Sequence, residues 1–127
     1  MLLKPNTVVV ALKGRFAGKK GVVVSASEDG RKILVAGIEK MPQPVTDDMS
    51  ECKKKRLSRM SAFIKNYNSR HLLATRYYGD VGLGAIDFSR IFENFESKKM
   101  AIDAVKKAFI NANKQKKAAW LFEKLVF

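Results

Sequence analysis

Cysteine and histidine are almost absent from this chain, which has a single Cys52 and a single His71 among its 127 residues. One cysteine cannot form a disulfide within the chain, and these two residues cannot assemble a zinc site. No stretch approaches the roughly 20 apolar residues of a membrane span, and the first residues lack the apolar core of a secretory signal. We therefore expect a reducing compartment, with no metal, no cofactor and no membrane.

Acidic residues are also scarce. The chain has 25 lysines and arginines against 12 aspartates and glutamates, a formal net charge of +13 and a pI near 10.0. A surface this basic attracts polyanions, of which nucleic acid is the commonest and an anionic membrane surface the next. The bases concentrate in residues 1–27, 50–76 and 105–127, with mildly acidic segments between them. This distribution predicts several separate contact surfaces instead of one compact patch.

The apolar pattern predicts a mainly β fold with α-helical parts. β-Branched runs at residues 7–12, 21–25 and 33–38 indicate short strands, and Asp29-Gly30 between the last two is a hairpin-turn signal. Such strands with tight turns predict a small barrel or a curled sheet. We expect a fourth strand at residues 62–68 and a short fifth strand near residues 75–80 to complete it.

Two helices follow from capping residues and periodicity. Thr46 is a candidate cap for a short basic helix over about residues 47–60. Ser97 is a candidate cap for a helix that runs to about Asn113, where apolar residues recur at i, i+3 and i+4. We therefore divide the chain into a barrel with an inserted basic helix, residues 1–80, and a helical C-terminal extension with an aromatic tail, residues 81–127.

The first candidate binding segment is the glycine-containing loop between the first two predicted strands. Gly14, Gly18 and Gly21 can adopt positive φ and let the backbone approach a phosphate closely. The candidate RNA contacts of this loop are Lys13, Arg15, Phe16, Lys19 and Lys20, and the ring of Phe16 could stack on a base. The alternative is an ordinary turn with solvated lysines. The spacing excludes a P-loop.

The second candidate segment is the basic run on the short predicted helix. Its candidate RNA contacts are Lys53, Lys54, Lys55, Arg56 and Arg59. A basic helix can lie along a phosphate groove, and each neutralised phosphate adds to the salt dependence of binding. A solvated helix face is one alternative, although few acids are present to pair with these bases. A membrane-surface helix is another, for which the apolar residues opposite the charges are weak anchors.

The third candidate segment interleaves aromatic, amide and basic side chains, a mixture that suits looped RNA, where bases stack on rings and guanidinium planes. Its candidate RNA contacts are Tyr67, Asn68, Arg70, His71 and Arg76, to which Lys65, Lys116 and Lys117 are added. His71 could equally be a structural histidine. A nucleophile and its base need an orienting third group, and no acid lies nearby, so we predict no catalytic residue.

The last ten residues, 118–127, form a strongly apolar tail that contains Trp120 and Phe127. A free tail of this kind would be a liability. We therefore expect it to pack on this protein or to dock on a neighbouring protein, and base stacking is the less favoured alternative.

Taken in order, these features resemble one protein family. The segment from Val10 to Val23 resembles a KOW motif, a strand, a basic glycine-containing loop and a valine-rich strand. KOW segments occur in ribosomal proteins and transcription factors alike. The stretch from Tyr67 to Tyr77 and the ending from Trp120 to Phe127 narrow the resemblance to eukaryotic large-subunit ribosomal protein twenty-seven, the e-type family.

The resemblance implies an SH3-like β-barrel with a helical C-terminal extension, bound to ribosomal RNA and neighbouring proteins in the cytosolic large subunit. It also implies assembly in the nucleus, no catalytic residues and no small-molecule substrate. The protein would hold RNA segments in place by charge and shape, with little base-specific readout. The alternative function is a KOW-containing regulatory factor that binds RNA or a polymerase.

Overall fold

The computed structural model describes residues 3–40, 46–79, 82–83, 92–115 and 121. Its strands are β1 (Thr7–Ala11), β2 (Lys20–Ala26), β3 (Lys32–Lys40), β4 (Ser61–Asn68) and β5 (Leu72–Tyr78). Helix α1 (Glu51–Ser58) lies between β3 and β4, and helix α2 (Phe95–Lys114) follows the sheet. The predicted strands, including a fifth one, are confirmed. The division at residue 80 stays a prediction.

The five strands form one antiparallel sheet in the order β4-β3-β2-β1-β5. The edge strands β4 and β5 are joined by a 3-10 turn, Ser69–His71. The Ser69 N–H donates to the carbonyl of Arg31 before β3, and the Leu12 N–H after β1 donates to the carbonyl of His71, both at 2.8 Å. The turn thus bridges the two ends of the curled sheet. This fold, mainly β with a C-terminal helix, agrees with the small SH3-like barrel expected from the sequence.

Both faces of β1, β2 and β3 are largely buried, which explains why these strands read as continuous apolar runs instead of alternating ones. Successive side chains of a strand point to opposite faces. One face packs against α2 and carries Val8, Val22, Ala36 and Ile64, whereas the barrel interior carries Val9, Val23, Val35 and Phe63. Burial of both faces leaves the strands rigidly held, with their connecting loops at the surface.

Helix α2 covers the outer face of the sheet with the stripe predicted from its periodicity. Ala101, Val105, Phe109 and Ala112 are buried there. The helix begins earlier than predicted, because the side chain of Asn94 accepts a hydrogen bond from the Ser97 N–H at 2.7 Å. Asn94 is therefore the cap, and the assignment of the cap to Ser97 was wrong.

Helix α1 is shorter than predicted. The Ser50 side chain accepts a hydrogen bond from the Lys53 N–H at 3.4 Å and starts the helix at Glu51. Thr46 instead lies in a turn in which its carbonyl accepts from the Met49 N–H. No residue of α1 itself is buried, so the helix rests on the surface.

Two of the three loop glycines behave as predicted. Gly14 and Gly18 have φ of 89° and 81°, a region that L-residues with a Cβ rarely occupy. Gly21 instead lies within β2, where an added Cβ would be 2.6 Å from Val35 Cγ1. The requirement at Gly21 is therefore close packing between strands, and positive φ is not involved.

Candidate nucleic-acid interface

The loop between β1 and β2 is a compact, exposed platform for basic side chains. The Gly18 N–H donates to the Ala11 carbonyl at 2.7 Å, and the Ala17 N–H donates to the Gly14 carbonyl at 3.2 Å. These bonds fold residues 12–19 back on themselves. Lys13, Arg15 and Lys19 are exposed on the result, so the loop presents three cations on an ordered backbone.

Phe16 anchors this loop to the barrel. Its ring stacks on that of Phe63 in β4, with centroids 4.1 Å apart and an interplanar angle of 4°. The ring also packs against the cluster that fills the barrel interior. The sequence offered Phe16 as a base-stacking residue. One face of the ring is occupied by Phe63, so the ring holds the loop in place, and its contact with a base stays a prediction.

Contacts at the end of β3 connect the loop to α1. Arg15 Nη2 lies 3.4 Å from Glu39 Oε1. The next residue, Lys40, donates from Nζ to the Arg56 carbonyl at 3.1 Å. The bases of α1 beside this contact, Lys53, Lys55, Arg56 and Arg59, are exposed, and Lys54 is half-buried. The first two candidate segments therefore lie next to each other on the same edge of the barrel.

The third candidate segment also reaches the loop. The Leu12–His71 hydrogen bond places the 3-10 turn beside Lys13. From β4, the ammonium group of Lys65 extends to the loop, where it lies 3.4 Å from the position of a Cβ added to Gly14. Residues of two of the three basic blocks, 1–27 and 50–76, thus share one surface, whereas the separateness of the third block, 105–127, stays a prediction. We call this surface the basic band and define it as Lys13, Arg15, Lys19, Lys53, Lys55, Arg56, Arg59, Lys65 and Arg70.

The other candidates of the third segment differ in their exposure and in their contacts. The Asn68 side chain accepts a hydrogen bond from the Arg70 N–H at 3.2 Å and thereby caps the turn. His71 is half-buried, and Arg76 is exposed with its guanidinium 5.4 Å from the centroid of the Tyr77 ring. Lys116 and Lys117 lie outside the described residues, as does the aromatic tail except for Leu121, which is buried.

Lys20 and Tyr67, both predicted from the sequence to contact RNA, are buried. Lys20 is 6 % exposed and is paired with Val10 in the sheet. Tyr67 is 4 % exposed and belongs to the barrel interior, where the Lys65 ammonium lies 5.2 Å from its ring centroid. A ring packed inside the barrel is not open to a base, so we assign Tyr67 a packing role. Lys20 directly follows Lys19 of the band, and its contact with RNA stays a prediction.

The Tyr67 hydroxyl leads to a prediction about stability. Among the residues that the structure describes, this buried oxygen has no hydrogen-bond partner, and burial raises the pKa of the Tyr67 phenol. A buried polar group without a partner costs about 1–3 kcal/mol. Tyr67→Phe should therefore be neutral or should raise the free energy of unfolding by about 1 kcal/mol, measured by denaturant titration. A clear loss of stability would show that the hydroxyl has a partner, such as a bound water.

Sequence reasoning missed Arg31, Lys32 and Lys40. Arg31 lies beside the 3-10 turn through the Ser69 hydrogen bond, and Lys32 is paired with Asn68 across β3 and β4. Both are exposed. The hairpin turn at Asp29-Gly30 was recognised, but only the pairing of β3 with β4 reveals that bases after this turn approach the third segment.

The chemistry available on the band is electrostatic. Arg15 pairs with Glu39, whereas the other members of the band form no ion pair within the described part of the chain. Unpaired, exposed cations favour phosphates and give a salt-dependent interaction.

Residues 3–40, 46–79, 82–83, 92–115 and 121 hold no group of three acidic, cysteine or histidine side chains placed to bind a metal. They also contain no helix that is long and apolar enough to cross a membrane.

Comparisons with known proteins find relatives that match almost the whole chain. A sequence model of the Ribosomal L27e protein family matches residues 8–127. The large ribosomal subunit protein eL27 of Pisum sativum is 39 % identical over 131 residues, an alignment that covers 98 % of this chain and 97 % of that protein. The similarity therefore includes the barrel, both helices and every segment of the basic band.

Proposed function

The chain belongs to the Ribosomal L27e protein family and is a structural constituent of the large ribosomal subunit, within which we propose that it holds ribosomal RNA through the basic band. The observation that carries this proposal is the joining of three basic segments on one edge of a rigid barrel. Contacts at Glu39, Lys40 and His71 fix these segments relative to each other. A fixed array of cations recognises the shape of a folded phosphate backbone, which positions RNA without reading its sequence.

The role of the scaffold is to keep these charges in place. Phe16 is stacked on Phe63, so the loop does not have to be ordered when RNA binds. Preorganisation lowers the entropic cost of association. Because α1 buries none of its own residues, its short helix is the part of the band that RNA contacts would stabilise most.

The role in the subunit is structural, and we propose that the protein carries out no catalytic step. Its family implies a place in the cytosolic ribosome. We further propose that it is incorporated during assembly in the nucleus and that residues 118–127 contact a neighbouring ribosomal protein. The alternative of a KOW-containing regulator fits less well, because the family match continues beyond the KOW-like segment to residue 127.

Sedimentation of a cell lysate on a density gradient tests this function. At moderate salt the protein should migrate with large ribosomal subunits. At high salt it should shift toward free protein, because phosphate contacts weaken as counterion concentration rises. Migration with a polymerase, or as free protein at moderate salt, would contradict the proposal.

A further inference from the structure

The loop between β1 and β2 contains a run of backbone donors that the fold leaves unused. The N–H groups of residues 17–19 each donate to a carbonyl of the loop or of β1. By contrast, the N–H groups of residues 13–16 donate to no acceptor in the part of the chain that the structure describes. Gly14 and Arg15 are exposed, so these donors are open to a ligand that accepts hydrogen bonds.

The backbone conformation of this run is that of an anion-binding turn. Gly14 has a φ of 89°, whereas Arg15 is not among the residues with positive φ. The hydrogen bond from the Ala17 N–H to the Gly14 carbonyl, at 3.2 Å, closes a turn over the same residues. Successive N–H groups in such a turn form a concavity of partial positive charge, called a nest, that binds anions. We call the N–H groups of Gly14, Arg15 and Phe16 the amide nest.

Lys65 adds a full positive charge beside the amide nest. Its ammonium group lies 3.4 Å from the position of a Cβ added to Gly14 and 5.2 Å from the centroid of the Tyr67 ring. The side chain is half-buried and forms no ion pair with another described residue. Because Gly14 has no side chain, nothing of that residue separates the backbone donors from the ammonium group. Charge-assisted hydrogen bonds to an anion are stronger than neutral ones.

We propose that the amide nest and the Lys65 ammonium together hold one phosphate group of the ribosomal RNA backbone. The N–H groups donate to the non-bridging oxygens, and Lys65 neutralises the charge. The stacking of Phe16 on Phe63 holds the turn in place, so the nest exists before RNA binds, which lowers the entropic cost of association. The inference rests on the proposed function and adds to it a phosphate contact made by backbone groups of the loop.

Amide chemical shifts of the isotopically labelled full-length chain test this site. Titration with inorganic phosphate, against sodium chloride of the same ionic strength, should move the proton resonances of Gly14, Arg15 and Phe16 downfield. Ala17 and Gly18 should move little, because their N–H groups already donate to carbonyls. Absence of a response at residues 14–16 would show that water alone solvates these donors and would overturn the proposal.

A short oligouridine without a terminal phosphate identifies the source of the phosphate group. It should move the same amide resonances at lower concentration than inorganic phosphate does, because the rest of the basic band adds contacts. A response to inorganic phosphate without a response to the oligonucleotide would indicate a site for a free anion. That result would overturn the assignment to RNA.

Lys65→Met tests the contribution of the ammonium group. Methionine keeps an unbranched side chain beside the Tyr67 ring, but the loss of the charge should weaken phosphate binding about tenfold. Lys19→Met is the matched control, since it removes the same charge from an exposed position of the same loop. It should change phosphate affinity by less than about twofold. Equal weakening by both substitutions would reflect net charge alone and would contradict the proposed site.

Gly14→Ala tests the amide nest without changing any charge. Residues with a Cβ rarely occupy a φ of 89°, so alanine should move the turn out of the nest conformation and abolish the downfield shifts. Circular dichroism establishes that the variant is folded. A folded Gly14→Ala variant with an unchanged response would contradict the proposal, and Lys65→Met decides the matter if Gly14→Ala does not fold.

Filter binding of large-subunit ribosomal RNA to the same variants separates the two proposals. Salt-dependent binding to this RNA without any response at residues 14–16 would overturn the nest and leave the basic band intact. A response of these amides without binding to the RNA would contradict the proposed function and, with it, the assignment of the phosphate to RNA.

Discussion

Replacing Lys53, Lys55, Arg56 and Arg59 together with glutamine should weaken binding to large-subunit ribosomal RNA by about a hundredfold at ~0.1 M salt. All four side chains are exposed and form no ion pair among the described residues. Each base that neutralises a phosphate adds about 0.7–0.9 to the slope of log affinity against log salt. The slope should therefore fall by roughly 3, measured by filter binding over a series of salt concentrations.

A matched variant controls for loss of net charge. Four lysines on α2, namely Lys99, Lys106, Lys107 and Lys114, lie away from its buried stripe. Their replacement with glutamine removes the same charge but leaves the basic band unchanged. We expect a slope change below about 1 for this control, from long-range electrostatics. If the α2 variant loses as much affinity as the α1 variant, the band is not the RNA-binding surface.

Replacing Phe109 with alanine should lower the free energy of unfolding by about 3–5 kcal/mol. The ring is completely buried between α2 and the sheet, in the cluster that includes Val8, Val22 and Val105. Truncation removes apolar surface and leaves a cavity that rigid strands cannot close. Since small proteins are stable by only about 5–15 kcal/mol, this is a large share of the total. Denaturant titration followed by circular dichroism measures it.

Phe95→Ala is the matched control on the same helix. Phe95 is 79 % exposed and is the first residue of α2. The same substitution there should change the free energy of unfolding by less than about 0.5 kcal/mol. A loss in Phe109→Ala as small as that in Phe95→Ala would mean that α2 does not pack on the sheet through Phe109.

The strands were predictable because local chemistry determines them. The β-branched runs and the Asp29-Gly30 turn are local signals, and both lie where the sequence indicated. The helix caps were harder to predict, since Thr46 and Ser50 are both favourable caps in isolation, with serine somewhat preferred. Which of these two residues caps α1 depends on where the chain leaves β3. The contact between Lys40 and the Arg56 carbonyl, which fixes α1 against that strand, involves residues far apart in sequence.

The proposed binding surface was predictable in composition but not in arrangement. Charge alone identified the basic segments, and the band combines most of their exposed bases with the half-buried Lys65. Burial could not be inferred for Tyr67, because an aromatic residue beside bases suits both a barrel interior and an RNA contact. Its burial follows from pairing with Ile33 across β3 and β4. The joining of three segments depends on β1–β5 pairing, a long-range contact that no local pattern contains.

Ultraviolet cross-linking of intact large subunits, followed by mass spectrometry of nucleotide-bearing peptides, identifies the segments of the protein that contact ribosomal RNA. We expect RNA adducts on peptides from the β1–β2 loop, from α1 and from the 3-10 turn at residues 69–71. Peptides from the exposed face of α2 should carry few adducts. Adducts confined to α2, or their absence from the loop, α1 and the turn, would contradict the claim that the basic band holds ribosomal RNA.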